Sequence, residues 1–413
     1  MKPTPLSRLS RIPDFLGLQR STIGMLGMVI LVGMGERMAE RFLPIYLMAL
    51  GGGALSVGLL NGLDNLLSAL YSFPGGYLSD RIGTKRALLV FNLFAMCGFM
   101  IVILVPAWQA VLFGAVLFLS WSAISLPATM SLIFRVLPTN KRTMGVSMHS
   151  LVRRIPMALG PVLGGVCITI WGERNGVRMA FVFALILAVV AVILQQKMIE
   201  ESKSDHFDDR RGSAPEKNPL KLLGRMHLPL KRLLVADILI RFCEQIPYAF
   251  VVVWCMKAIA QPVTAIQFGL LTAIEMITAV LVYIPVAYLA DKNTKKPFVV
   301  ITFSFFTFFP LVLLFCRSFE WLILAFVLRG LKEFGEPTRK ALIMDLAPDD
   351  CKAGMFGLYY LIRDVVVSIA AFGGAFLWLI SPVTNFLIAF AFGLIGTLTF
   401  AFKGADLSEK NSL

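Results

Sequence analysis

The sequence is poor in charge. Only 15% of its 413 residues are Asp, Glu, Lys or Arg, against about 25% in soluble globular domains. Two or three soluble domains of this composition would lack the polar surface to stay in water. Histidine is scarcer still: His149, His206 and His227 stand far apart. The six cysteines (Cys97, Cys167, Cys243, Cys255, Cys316 and Cys351) form no C-x-x-C pair and lie mostly in apolar runs. A metal centre, a disulfide framework and a bound cofactor are therefore not expected. Also missing are H-E-x-x-H, G-x-S-x-G and the phosphate-binding G-x-x-x-x-G-K-[ST], which argues against an enzyme and against an ATP-driven machine. Met1 to Arg20 is basic and polar, without the apolar core and cleavage site of a signal peptide.

What the chain has instead is apolar length. Hydrophobic residues make up 57% of it, the mean hydropathy is +0.78, and runs of about 20 apolar residues, enough to cross a bilayer, recur throughout. Twelve spans are predicted, at 22–50, 55–79, 86–106, 109–136, 144–170, 177–196, 232–258, 266–290, 297–316, 319–346, 354–379 and 383–402. The fold class is an all-α membrane protein, with one bundle of six helices in 1–199 and another in 231–413. Between them, 200–230 reads as a polar linker ending in an amphipathic segment around Pro219–Leu230.

The net charge of +14 fits topology better than nucleic acid, because no stripe of interleaved basic and aromatic residues lies outside the spans. The basic residues gather in short loops: Arg81, Lys85 and Arg86 after span 2, Lys141 and Arg142 after span 4, and Lys292, Lys295 and Lys296 after span 8. The loops between carry few, chiefly Arg174, Arg178, Lys257 and Arg317. The positive-inside rule puts both termini and the linker in the cytoplasm, in a plasma or bacterial inner membrane.

The halves repeat. Pro127, Leu132, Ile133, Pro138 and Arg153 recur 210 positions later as Pro337, Leu342, Ile343, Pro348 and Arg363. At an offset of 211, Gly58, Pro74 and Asp80 meet Gly269, Pro285 and Asp291, and Asp64 meets Glu275. At 208, Glu36 and Phe42 meet Glu244 and Phe250. Two facing six-span bundles form a transporter architecture with its site near the midplane.

After span 2 the chain reads Gly76-Tyr77-Leu78-Ser79-Asp80-Arg81-Ile82-Gly83-Thr84-Lys85-Arg86. This resembles the G-x-L-[AS]-D-R-x-G-[RK]-[RK] loop of the major facilitator superfamily, and Tyr288-Leu289-Ala290-Asp291-Lys292 is a degenerate second copy. The resemblance implies a cytoplasmic gate of Gly76, Asp80, Arg81, Gly83 and Arg135. Gly160-Pro161-Val162-Leu163-Gly164-Gly165 is similar to the G-P-x-x-G-G motif of the superfamily's proton-driven antiporters, and Gly160, Pro161, Gly164 and Gly165 would bend and closely pack span 5. Two departures stand out. Antiporters with that motif carry an arginine in mid-span 4, where Leu117 to Ala123 is uncharged. The Glu36–Arg41 run has one residue more than the E-x-x-E-R motif of peptide transporters.

Charges at bilayer depth are costly and mark function by default. Glu36, Asp64, Arg153, Glu244, Glu275, Arg329, Glu333 and Arg363 are the candidates for holding protons or substrate. Span 10 also holds Lys332, Glu336, Arg339 and Lys340, and spacings of four allow Arg329–Glu333, Lys332–Glu336 and Glu336–Lys340 pairs along one helix. The resulting expectation is a monomeric secondary transporter in a lipid bilayer. It would move a small charged or zwitterionic organic solute, with protons as coupling ion and export ahead of uptake. An uptake symporter, a lipid flippase and a non-transporting sensor are the alternatives.

Overall fold

The computed structural model describes residues 20–119, 121, 125, 129, 142–199, 219–291, 294–348 and 352–405. Among them every regular element is a helix: α1 (Arg20–Glu40), α2 (Leu43–Ala49), α3 (Gly53–Ile82), α4 (Thr84–Leu104), α5 (Trp108–Phe118), α6 (Arg142–Met198), α7 (Pro219–Arg225), α8 (Leu228–Tyr248), α9 (Val251–Val253), α10 (Ala265–Asp291), α11 (Lys296–Phe315), α12 (Phe319–Leu331), α13 (Glu336–Leu346), α14 (Lys352–Ile380) and α15 (Pro382–Lys403). A π-turn, Trp254–Ala258, follows α9. The amphipathic segment expected at the end of the linker is the short helix α7.

Among the described residues six stretches are long and apolar enough to span a membrane, or seven if α8 and the bent segment after it count as one. The longest, Val152–Met198, has 47 residues, or about 70 Å of helix, more than twice a hydrocarbon core. It is two spans joined at a reversal, where Gly172 takes φ +75°, a left-handed conformation that a β-carbon disfavours. Gly83 does the same between α3 and α4 at φ +88°, which is why the signature loop has glycine there. Side chains such as Phe402, Phe315 and Ile380, each more than 70% exposed, point outward from these helices, as lipid-facing side chains do.

The described chain divides into two compact units, Met1–Gly51 with Leu70–Asp205, and Gly52–Ala69 with His206–Leu413. In the first, α1 packs along α6, and Phe99, Phe118 and Phe181 join α4, α5 and α6 through ring centroids 5.4–5.7 Å apart. In the second, α8 packs on α14 and α15, and α11 on α15, around Leu233, Ala236, Ile240, Phe303, Leu342, Ile343 and Tyr359. The first part of α3 belongs to this unit. Asn61 Nδ2 donates to the Gln245 carbonyl at 2.9 Å and Asn65 Nδ2 to Gln245 Oε1 at 3.2 Å.

One expectation is corrected. Span 10 is not a continuous helix over 319–346 but two helices, α12 and α13, separated by a turn at 332–335. Pro337, in the first turn of α13, has no N–H to continue the ladder. Gly335, which precedes α13, donates its backbone N–H to Thr302 Oγ1 of α11 at 2.6 Å.

Candidate functional site

In the second unit the broken helix faces α8, α10 and α14, and the charges of all four form one buried cluster. Asp237, Arg241 and Glu244 stand at i, i+4 and i+7 of α8, on one helical face. Arg339 pairs with Asp237 in a short contact and with Glu336 Oε1 at 2.7 Å. Tyr359 donates to Asp237 Oδ2 at 3.0 Å, and Arg363 Nη1 lies 3.5 Å from the same oxygen. Arg241 reaches Glu244 at 2.6 Å and Glu336 at 3.4 Å. Lys332 Nζ bridges Glu244 at 2.9 Å and Glu275 at 3.3 Å, and Arg329 Nε is 3.3 Å from the same Glu275 oxygen. Arg363 closes the other end, bonded to Asp364 at 2.7 Å and lying 4.2 Å over the Tyr360 ring.

Five carboxylates thus alternate with five bases, each held by at least one opposite charge, as buried ions must be. Glu244, Arg329 and Lys332 also line a cleft of ≈ 290 Å³, counted to its open mouth, with Tyr248, Phe306 and Phe309 as its apolar wall. The Arg329 guanidinium sits 5.1 Å over Phe309 and 5.5 Å over Tyr248, so aromatic faces hold the side that the carboxylate does not.

Of the pairs expected along span 10, Glu336–Lys340 is present at 3.5 Å. Lys332 turns away from Glu336 to Glu244 and Glu275 on other helices, because the break at 332–335 takes it out of helical register with α13.

The first unit holds a smaller cleft, ≈ 250 Å³ counted to its mouth. Glu36, Arg37 and Arg153 line it together with Val29, Trp121, Pro156 and Met157. Glu36 is only 4% exposed, and Arg37 also bonds Glu40 at 2.7 Å. The glycine motif sets this up. A β-carbon on Gly160 would stand 2.6 Å from Arg37 Cβ, and one on Gly164 would run into the Met38 carbonyl. The two backbones therefore approach closely, which brings Arg153, two turns earlier on α6, beside α1.

The structure thus gathers Glu36 with Arg153, and Glu244 with Glu275, Arg329 and Arg363. Asp64 is half-buried on the part of α3 that belongs to the second unit. Glu333 lies in the turn between α12 and α13. Pro161 and Gly165 are buried within α6, and Arg81 is exposed at the end of α3. The side chains at Gly76 and Asp80, and Arg135 altogether, lie outside the described residues.

The sequence profile described as "Major Facilitator Superfamily" matches residues 25–260 and 233–412. The chain belongs to the major facilitator superfamily. An uncharacterized MFS-type transporter of Methanocaldococcus jannaschii is 24% identical over 385 residues, 89% of this chain and 91% of that protein. Quinolone resistance protein NorA of Staphylococcus aureus is 26% identical over 176 residues, 42% of this chain and 44% of NorA. Among solved structures, a mutant of the peptide transporter POT in complex with sulfate overlays with a TM-score of 0.74, over 92% of this chain and 94% of its own, at 15% identity. At that identity the likeness is one of fold.

This major facilitator chain is therefore an integral membrane transporter with the superfamily's two pseudo-symmetric bundles of six transmembrane helices. Its most densely paired residues include two that sequence reasoning passed over, Asp237 and Arg241. Matching the halves drew attention to charges with a counterpart, and at the offset of 208 these two fall on Val29 and Gly33. Their spacing on one face of α8, ending at Glu244, was the available signal.

Proposed function

We propose that this transporter is proton-coupled and exports a small charged or zwitterionic organic solute by alternating access. It would act as a monomer in the plasma or bacterial inner membrane, with both termini and the 200–230 linker in the cytoplasm. The observation that carries the reading is Glu36, almost fully buried, sharing a cleft with Arg153. A carboxyl group in a partly desolvated cleft is drawn toward its neutral form, and a nearby guanidinium draws it back. A group balanced in this way loads a proton in one conformation and releases it in another, and the cationic group of a solute competes with that proton for the Glu36 carboxylate, so that proton and solute occupy the cleft in turn, as proton-driven export requires. Both signs of charge line each cleft, which favours a charged or zwitterionic solute. Export is favoured by the Gly160–Gly165 motif and by the partial match to NorA.

The test is transport in proteoliposomes with an imposed pH gradient. Glu36→Gln is expected to lower gradient-driven transport by at least about tenfold while leaving exchange down a solute gradient active. Asp64→Asn is the second candidate carrier. Undiminished gradient-driven transport in both variants would remove proton carriage from these carboxyls. Transport driven only by the opposite sign of gradient would make the protein an uptake symporter.

A further inference from the structure

Trp121 forms a wall of the Glu36–Arg153 cleft, and its ring is not left to pack as it pleases. Its Nε1 donates to Asn92 Oδ1 at 2.8 Å. Asn92 Nδ2 donates to Gln195 Oε1 at 2.7 Å and also contacts Met28 Sδ at 3.6 Å. Gln195 Nε2 donates to the Lys85 carbonyl at 2.8 Å. Both amides are fully buried.

The direction of every bond in this relay is forced. An indole N–H can only donate and a backbone carbonyl can only accept. Asn92 must therefore turn its oxygen to Trp121 and its nitrogen to Gln195. Gln195 must then turn its oxygen to Asn92 and its nitrogen to Lys85. Only one arrangement satisfies all the links, so the indole plane is tied to the first turn of α4, beside the signature loop. Two buried amides are an expensive way to fill a core that leucine would fill as well. What they supply here is a fixed orientation for one aromatic face in a cleft that otherwise offers charge.

We propose that Trp121 is a specificity-determining, solute-contacting residue, that Asn92 and Gln195 are its positioning residues, and that the solute group received here is an amphipathic zwitterion. The proposal rests on the reading of this cleft as a solute site. Glu36 would face the cationic part of the solute and Arg153 the anionic part, while an apolar group would lie on Trp121, with Val29, Pro156 and Met157 completing the apolar lining. The cleft volume includes the open space at its mouth, so the cleft receives one end of a solute rather than enclosing a whole one.

The probes are L-phenylalanine and L-leucine, with glycine as the zwitterion lacking an apolar group and phenethylamine and phenylacetate as the single-charge controls. Binding is read as the concentration-dependent rise in melting temperature of the purified full chain in detergent. Phenylalanine and leucine are expected to bind at least about tenfold more tightly than glycine, phenethylamine or phenylacetate. Trp121→Ala should erase the advantage over glycine. Asn92→Leu should weaken phenylalanine binding several-fold in the native chain, and add nothing in Trp121→Phe, which has no N–H to orient. A merely structural role for Asn92 would act equally in both backgrounds. If Asn92→Leu does not fold, Trp121→Phe and Trp121→Ala decide alone, by partial and complete loss of the preference. The proposal is overturned if no apolar zwitterion outbinds glycine, if single-charge controls bind as well, or if the preference survives Trp121→Ala. Loss of selectivity with proton-driven transport intact, or the reverse, separates this inference from the proton-coupling reading.

Discussion

Asp237→Leu is the sharpest test of the buried charge cluster. Asp237 is 1% exposed and sits where three bases meet: Arg339 in close contact, Arg363 at 3.5 Å and Arg241 at 3.9 Å. Tyr359 also donates to it. Each base keeps another carboxylate when Asp237 is lost: Glu336 for Arg339, Asp364 for Arg363, Glu244 for Arg241. The cost is therefore one uncompensated positive charge and one stranded tyrosine hydroxyl, not three orphaned bases. Breaking a buried pair in this way costs about 3–5 kcal/mol. In a chain of 413 residues that lowers the unfolding midpoint by roughly 3–6 °C. Asp237→Asn, whose oxygen still accepts from Tyr359, should cost about half as much. The assay is thermal unfolding of the purified protein in detergent at a fixed scan rate, since such unfolding is commonly irreversible. Asp237→Leu combined with Arg339→Met should recover most of the loss, because a buried pair replaced as a unit by apolar residues is close to neutral. A midpoint for Asp237→Leu within about 1 °C of the native chain, or a double variant as unstable as the sum of the singles, would refute the reasoning.

The fold was largely legible because a bilayer imposes length and polarity together. A stretch long enough to cross must be apolar, so spans stand out; the positive φ of Gly83 between α3 and α4 became visible only in the structure. Span 10 was legible only in part. Its charges were visible, but pairing them four residues apart assumed an unbroken helix, and Glu336-Pro337 after Gly335 ended that helix. The partners of Lys332 then came from α8 and α10, at sequence distances that no local spacing rule reaches. Comparison of the halves misled in one respect. It favours charges that recur, whereas Asp237 and Arg241 answer to Val29 and Gly33 in the first half. That difference has a structural sense. Where α8 carries Arg241 into a charged core, α1 carries Gly33, where an added β-carbon would stand 3.2 Å from Pro156. Both units keep a cleft, but in the second it opens beside a network of ion pairs, and in the first it has a tryptophan wall.

Gly164→Ala should lower stability by about 1–3 kcal/mol, because its β-carbon meets the Met38 carbonyl, a backbone atom that cannot swing aside; an unchanged melting midpoint would deny the close packing of α1 on α6. Gly83→Ala should cost about 1 kcal/mol from its left-handed backbone alone, read in the same assay. Lys332 offers a test of charge balance. Its ammonium is shared by Glu244 and Glu275, yet each of these keeps an arginine, Arg241 at 2.6 Å and Arg329 at 3.3 Å. Lys332→Met therefore strands no single carboxylate but leaves one surplus negative charge among them, and should cost less than Asp237→Leu, about 1–3 kcal/mol. Removing one negative charge should then help where it would otherwise harm: Glu244→Gln destabilises the native chain but restabilises Lys332→Met. If Glu244→Gln lowers the melting midpoint equally in both backgrounds, Lys332 is not the bridge between these carboxylates, and the cluster is a set of separate pairs.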